Sequence, residues 1–173
     1  MKVKDAMSRS LAACNADDTL NRAAQLMWEY DCGAIPVLDN GGATGGIITD
    51  RDVCMGAYTQ GLPLSQIPVR RAMQTVVYTC KPEDSIESAL ALMRRNKVRR
   101  LPVTEDGRPV GMLSLSDVIR VVRSSMMDRR PEGPHAEIIE TLAFICEPAD
   151  AGRASGGKRG TRDVAPYMEA RRN

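Results

Sequence analysis

Apolar positions come in two matched sets along the first two thirds of the chain. Leu20, Ala23, Ala24 and Met27 keep the i, i+3, i+4, i+7 spacing of one buried helix face, and Ile86, Ala89, Leu90 and Met93 repeat it. Before each helix stands an apolar run, 11–14 and 76–80, that reads as a short buried strand. Asp18 and Asp84 are placed to cap these helices, and Glu87, three residues after Asp84, completes a capping-box pattern. After each helix, two apolar runs flank a turn dipeptide. Asn40-Gly41 joins 34–38 to 45–48, and Asp106-Gly107 joins 100–104 to 110–113, both as hairpins. Thr49 and Ser114 then open second helices, 50–59 and 115–127.

The two sets are one unit written twice. Ala6-Met7 aligns with Ala72-Met73, Cys14 with Cys80, and Ile35-Pro36-Val37 with Leu101-Pro102-Val103. After a slip of one residue in the Gly-rich turn, Gly46-Ile47-Ile48-Thr49 meets Gly111-Met112-Leu113-Ser114, and Asp52 meets Asp117. The expected boundaries are 3–60 for the first repeat, 61–68 for a linker and 69–127 for the second repeat. Each repeat reads β-α-β-β-α, so the fold class is α/β. So short a sheet is covered by helices on one face and left apolar on the other, which a second copy can cover. Residues 128–173 break the pattern. Pro131-Glu132-Gly133-Pro134 stops any helix, and 136–146 is expected as a short helix with Ile138, Ile139, Leu142 and Ile145 on one side. The remainder has the composition of a disordered tail.

Composition narrows the function. In 173 residues, 24 Lys and Arg against 22 Asp and Glu leave a net charge of +2, too small a surplus for coating nucleic acid. Aromatic residues are 3% of the chain, too few for a base-stacking platform. One histidine, His135, cannot build a His-rich metal centre. Five cysteines without a C-x-x-C pattern argue against a disulfide framework and for a cytoplasmic protein. Cys14 and Cys80 read as small buried hydrophobes. No apolar run is long enough for a membrane span, and the first residues lack the apolar stretch of a secretory signal. Gly152 to Lys158 approaches a P-loop pattern, but Arg159 stands where the magnesium-binding hydroxyl belongs. Nothing in the chain pairs a nucleophile with a base or spaces two carboxylates for acid–base work, so the expectation is a binding protein that is not an enzyme and requires no cofactor.

What remains is the repeated motif of Gly, two apolar residues, Thr or Ser, two residues, then Asp: Gly46 to Asp52 and Gly111 to Asp117. A hydroxyl with an acid three residues on is a capping box, and that role accounts for part of it. The same helix N-terminus offers amides and partial positive charge to a phosphate, and an Asp one turn in can accept from ribose hydroxyls. Together with the apolar-Pro-Val strands, the motif resembles the cystathionine-β-synthase (CBS) domain. Two in tandem resemble a Bateman module, of the small stand-alone kind found in bacteria. The resemblance covers residues 3–125. It implies repeats packed sheet to sheet about a pseudo-twofold axis, two clefts that bind adenine nucleotides, and pairing into homodimers.

The resemblance also assigns residues. Thr49 and Asp52 match the hydroxyl and the ribose-binding acid of one cleft, and Ser114 and Asp117 those of the other. Ile47 and Met112 match apolar positions beside the base. The residues just before each apolar-Pro-Val strand face the opposite repeat's cleft: Arg99 and Arg100 in one case, Gly33 and Ala34 in the other. The cleft of Thr49 and Asp52 is therefore expected to receive two guanidinium groups suited to phosphate, and that of Ser114 and Asp117 none from this source. The implied function is a regulatory module that senses AMP, ADP or ATP and passes its state to a protein partner. The alternatives are a constitutive dimerisation scaffold with empty clefts and a nucleic-acid-binding regulator, the latter opposed by the charge balance.

Overall fold

The computed structural model describes residues 1–125 and four further helical positions, Ile138, Thr141, Leu142 and Ile145. The first of these and the last two are exposed. The other expectations for 126–173 lie outside the described residues. In chain order the elements are α1 (Val3–Ala6), β1 (Cys14–Asn15), α2 (Leu20–Glu29), β2 (Ala34–Leu38), β3 (Thr44–Thr49), α3 (Asp50–Gln60), α4 (Ile86–Asn96), β4 (Arg100–Glu105), β5 (Arg108–Ser114) and α5 (Leu115–Ser125). In the first repeat β1 runs parallel to β2 and β2 antiparallel to β3, with Ile35 opposite Ile48. In the second, β4 and β5 are antiparallel, with Leu101 opposite Leu113. These four side chains are almost wholly buried, each in its own repeat's core. Burying each contributes about 1.5–3 kcal/mol.

The two repeats exchange their leading segments. Val3 of α1 is buried in the second repeat's core, and backbone bridges join Lys2 to Ser85 and Ser8 to Met112. The matching residues of the second repeat do the same to the first: Ile67 and Val69 are buried in its core, and bridges join Pro68 to Thr19 and Gln74 to Ile47. Pair for pair the bridges are equivalent, which is the pseudo-twofold relation. Residues 61–68 are therefore more than a linker, since Ile67 is wholly buried and its carbonyl accepts from the Leu20 amide at 2.8 Å. The crossing also explains the glycine that opens the repeated motif. A Cβ on Gly111 would lie 2.7 Å from the Ser8 carbonyl oxygen, and one on Gly46 would lie 3.1 Å from that of Gln74.

Several local expectations need correction. The N-caps are Thr19 and Ser85, whose side chains accept from the Arg22 and Ser88 amides. Asp18 and Asp84 sit one residue earlier and accept from the Asn15 and Lys81 amides, closing the turn before the helix. An Asp two residues before a helix has this competing local partner, so the hydroxyl takes the cap. The run 11–14 pairs only at its end, in β1, and the run 76–80 only through a single bridge from Cys80 to Val103. Val76 is 70% exposed, so this stretch is no buried strand. The Asp106-Gly107 hairpin has the positive φ at both residues that a two-residue turn needs. The first hairpin instead turns at Gly42 (φ 80°), because the Asp39 carboxylate gathers the Gly41 and Ala43 amides, each at 2.9 Å. Cys14 and Cys80 are buried hydrophobes as read, and burial pushes their thiols up to about 12 and about 11.

Candidate functional site

Strand β3 delivers Thr49 to the start of α3, and the capping box forms. Thr49 donates its amide (2.9 Å) and its hydroxyl (2.7 Å) to Asp52 Oδ2, while the Asp52 amide donates to Thr49 Oγ1 at 3.2 Å. Asp52 Oδ1 accepts from Gln74 Nε2 at 3.2 Å. Gln74 arrives on the crossing segment of the second repeat, where its backbone pairs both ways with Ile47. A carboxylate oxygen takes two bonds, so Oδ1 keeps one acceptor site.

Above this corner lies a cleft of about 380 Å³. Ala34, Ile47 and Thr49 form one wall. Gln74, Val76, Val77, Tyr78, Val98, Arg99, Arg100 and Pro102 form the rest, all from the second repeat. Neither Arg99 nor Arg100 has an ion pair or side-chain hydrogen bond among the described residues. The cleft thus joins the Thr49 and Gln74 corner, apolar walls with an aromatic ring, and two arginines that form no ion pair among the described residues.

The helix N-terminus differs from expectation. The first three amides of α3 already have partners: Asp50 N donates to the Gly33 carbonyl at 3.3 Å, Arg51 N to the Asp50 carboxylate at 2.7 Å, and Asp52 N to Thr49. An acidic residue at the first helical position satisfies the turn from within. Charge for an anion therefore comes from the two arginines.

The second repeat builds the same box. Ser114 donates its amide (2.7 Å) and hydroxyl (2.5 Å) to Asp117 Oδ2, and the Asp117 amide returns to Ser114 Oγ at 3.1 Å. There the likeness ends. Asp117 is only 6% exposed, and its Oδ1 is ion-paired with Arg120 on the same helix. Met112 pairs with Ser8 of the crossing segment. The resemblance places Gly33 and Ala34 at this cleft, but the contacts they make are at the other. Ala34 pairs with Thr49 and lines its cleft, and a Cβ on Gly33 would lie 2.9 Å from Asp50 Oδ2 and 3.0 Å from Arg100 Nη2. Strand register decides this, because the residue opposite the motif hydroxyl sits beside it.

Arg100 also borders a second groove of about 480 Å³ between α2 and α3, with Trp28, Asp31, Cys32, Asp50 and Val53 on its sides. Burial pushes the Cys32 thiol up. This groove, Gln74 and the Val76–Tyr78 wall were not anticipated. Residues 76–78, expected within a buried strand, instead line the cleft, and Val76 is largely exposed. Among the described residues no group of three or more His, Cys, Asp or Glu is placed to hold a metal. None of their helices is long and apolar enough to cross a membrane.

Comparison with known proteins agrees with this architecture. The CBS domain model matches residues 3–56 and again 69–124. CBS domain-containing protein YhcV of Bacillus subtilis is 36% identical over 116 residues, covering 67% of this chain and 81% of YhcV. The crystal structure of Hypoxic Response Protein I with two coordinated zinc ions superposes with a TM-score of 0.63 at 29% identity, covering 69% of this chain and 98% of that one. A CBS domain pair solved with 5′-methylthioadenosine and S-adenosyl-L-methionine shares the fold, with a TM-score of 0.65 at 22% identity over 72% of this chain and 98% of that one. Two family matches on one chain, with reciprocal bridges between the repeats they cover, establish that the protein belongs to the CBS domain family as a tandem pair.

Proposed function

We propose that the protein is a regulatory module that binds an adenine nucleotide, AMP, ADP or ATP, in the cleft between Thr49 and Arg99–Arg100. The observation that carries this reading is a cleft lined by Thr49 and Gln74, which both bond Asp52, and by Arg99 and Arg100, neither of which forms an ion pair among the described residues. Phosphate suits the arginines, which bind it through paired charge-assisted bonds. Asp52 Oδ1 suits a ribose hydroxyl, and Ile47, Val76 and Tyr78 suit the faces of a purine. The volume of about 380 Å³ falls in the range of small-molecule sites, roughly 300–1,000 Å³. That another CBS pair holds adenosyl ligands supports the architecture's capacity for such a guest.

Such a ligand acts by linkage. Thr49 and Ile47 belong to the first repeat, and Arg99, Arg100 and Tyr78 to the second. A nucleotide touching both stabilises one arrangement of the repeats, and a protein partner that prefers that arrangement reads the ligand's presence. Exposed apolar side chains on the helices, Trp28, Met55 and Tyr58 in the first repeat and Leu115 in the second, support pairing into a homodimer. Free thiols at Cys14, Cys32, Cys54 and Cys80 support a reducing, cytoplasmic setting.

Calorimetry and thermal shift with AMP, ADP, ATP and adenosine test the site. The expected result is saturable binding with one or more phosphates preferred over adenosine, and a melting temperature that rises with ligand concentration. Absence of binding to any of the four would leave the scaffold reading. Light scattering at the mass of a single chain would remove the homodimer.

A further inference from the structure

The same motif stands twice in the chain, and only one copy keeps its acid available. In the first repeat, Asp52 is partly exposed and, among the described residues, its Oδ1 accepts from the neutral Gln74 amide alone, at 3.2 Å. In the second, Asp117 is 6% exposed and its Oδ1 is held by the Arg120 guanidinium. Arg120 stands three residues after the motif acid, within the same helix. The residue three after Asp52 is Met55, which carries no charge and is 45% exposed. On the motif helices themselves, Arg120 in place of Met55 is what sets the two acids apart.

We infer that Arg120 closes the second repeat's corner to ligand, acting as the residue that restricts this tandem pair to one nucleotide site. The chemistry is competition for one oxygen. A ribose hydroxyl donates a neutral hydrogen bond, whereas a guanidinium donates a charge-assisted one, about twice as strong. The guanidinium is also tethered to the same helix turn, so its local concentration far exceeds that of a free ligand. Displacing it would leave a cation without its carboxylate in a half-buried place, since the Arg120 side chain is 35% exposed. The second corner therefore presents a neutralised ion pair where the first presents an acceptor.

The inference rests on the reading of the corner as a ribose site, and the experiment separates the two. Full-length protein labelled at its methionine methyls is titrated with adenosine and with AMP. Met112, beside Ser114 on β5, reports the second corner, while calorimetry on the same samples reports total binding. In the unsubstituted chain the Met112 methyl should stay still while calorimetry detects a single site. In Arg120→Leu, adenosine should shift the Met112 methyl with an affinity at least about tenfold above that of the unsubstituted chain, the value of one charge-assisted bond. Arg120→Lys should keep the corner closed. If Arg120→Leu does not fold, Arg120→Gln, which keeps a donor for Asp117 but no charge, carries the same expectation. A Met112 response in the unsubstituted chain, or none in either neutral variant, overturns the role of Arg120. Loss of first-site binding with a gain in Arg120→Leu would overturn the nucleotide reading of the Thr49 cleft and leave the closing role of Arg120 standing.

Discussion

The first and second motif corners share their local geometry and differ in what surrounds it. Hydroxyl-to-acid bonds of 2.7 and 2.5 Å, and returning amide bonds of 3.2 and 3.1 Å, make the two capping boxes equivalent. The capping role is written within four residues of sequence, so both copies keep it. Ligand chemistry depends on partners from elsewhere: Gln74 and the two arginines at one corner, Arg120 at the other. A motif match therefore certifies the turn and leaves the chemistry to be decided by neighbours.

The largest effect that tests this contrast is on stability. Asp117→Ala removes a cap and takes from Arg120 its carboxylate partner on the same helix. We expect a loss of about 3 kcal/mol, the lower end for breaking a buried pair, since Arg120 retains access to water. Asp52→Ala removes a cap with a neutral partner and should cost about 1 kcal/mol. Urea unfolding of the two variants measures the difference. Equal losses would mean that the ion pair adds nothing to the box.

Next in size is the crossing. Gly111→Ala drives a Cβ to 2.7 Å from the Ser8 carbonyl, a backbone atom that moves only if the leading segment moves. Overpacking of this kind costs about 1–3 kcal/mol. Gly46→Ala meets the Gln74 carbonyl at 3.1 Å and the Met73 sulfur at 3.0 Å, so it should cost less. Hydrogen exchange at residues 3–8 should rise in Gly111→Ala alone. Loosening of residues 69–74 instead would reverse the assignment of segments.

Arg100→Ala sharpens the contrast in ligand terms. Losing one charge-assisted bond should weaken AMP about tenfold, while adenosine, without phosphate, should change little. Equal losses for both ligands would place Arg100 against the base or sugar.

Much of this was legible from residues alone. The repeat, the four long helices, both hairpins and the gathering of Ile47, Thr49, Arg99 and Arg100 follow from spacing and from the family resemblance. Three things did not. The exchange of Val3 and Val69 between cores is a long-range choice, and an apolar residue before a repeat fits either core equally well. The caps went to Thr19 and Ser85 because Asp18 and Asp84 had nearer turn amides to satisfy. The Arg120 pairing was visible as an i, i+3 spacing, but a cation three residues past an acid on a helix is common, and only the burial of Asp117 makes it decisive.

The smallest expected effect compares the two latches that hold the leading segments. Lys2 and Lys4 donate to Glu83, the latter at 2.7 Å, and the equivalent pair across the pseudo-axis joins Arg70 to Asp17. Hydrogen bonds from Lys2 and then Lys4 lower the Glu83 carboxyl from its ordinary 4.5 to about 2. A carboxyl depressed in the folded state stabilises it at pH above its ordinary value, and that contribution is lost as pH falls from about 4.5 toward about 2. Lys2 is raised by the same partner, so its share is present below 10.5 and lost as pH rises through its folded value. All three side chains are exposed, so salt should screen the effect and keep it small. Urea midpoints of the unsubstituted chain and Glu83→Gln should differ at pH 6 in low salt. The gap should close on acidification and shrink in high salt. A gap that persists unchanged at the acid end would mean that Glu83 acts through packing and that the first latch is not electrostatic.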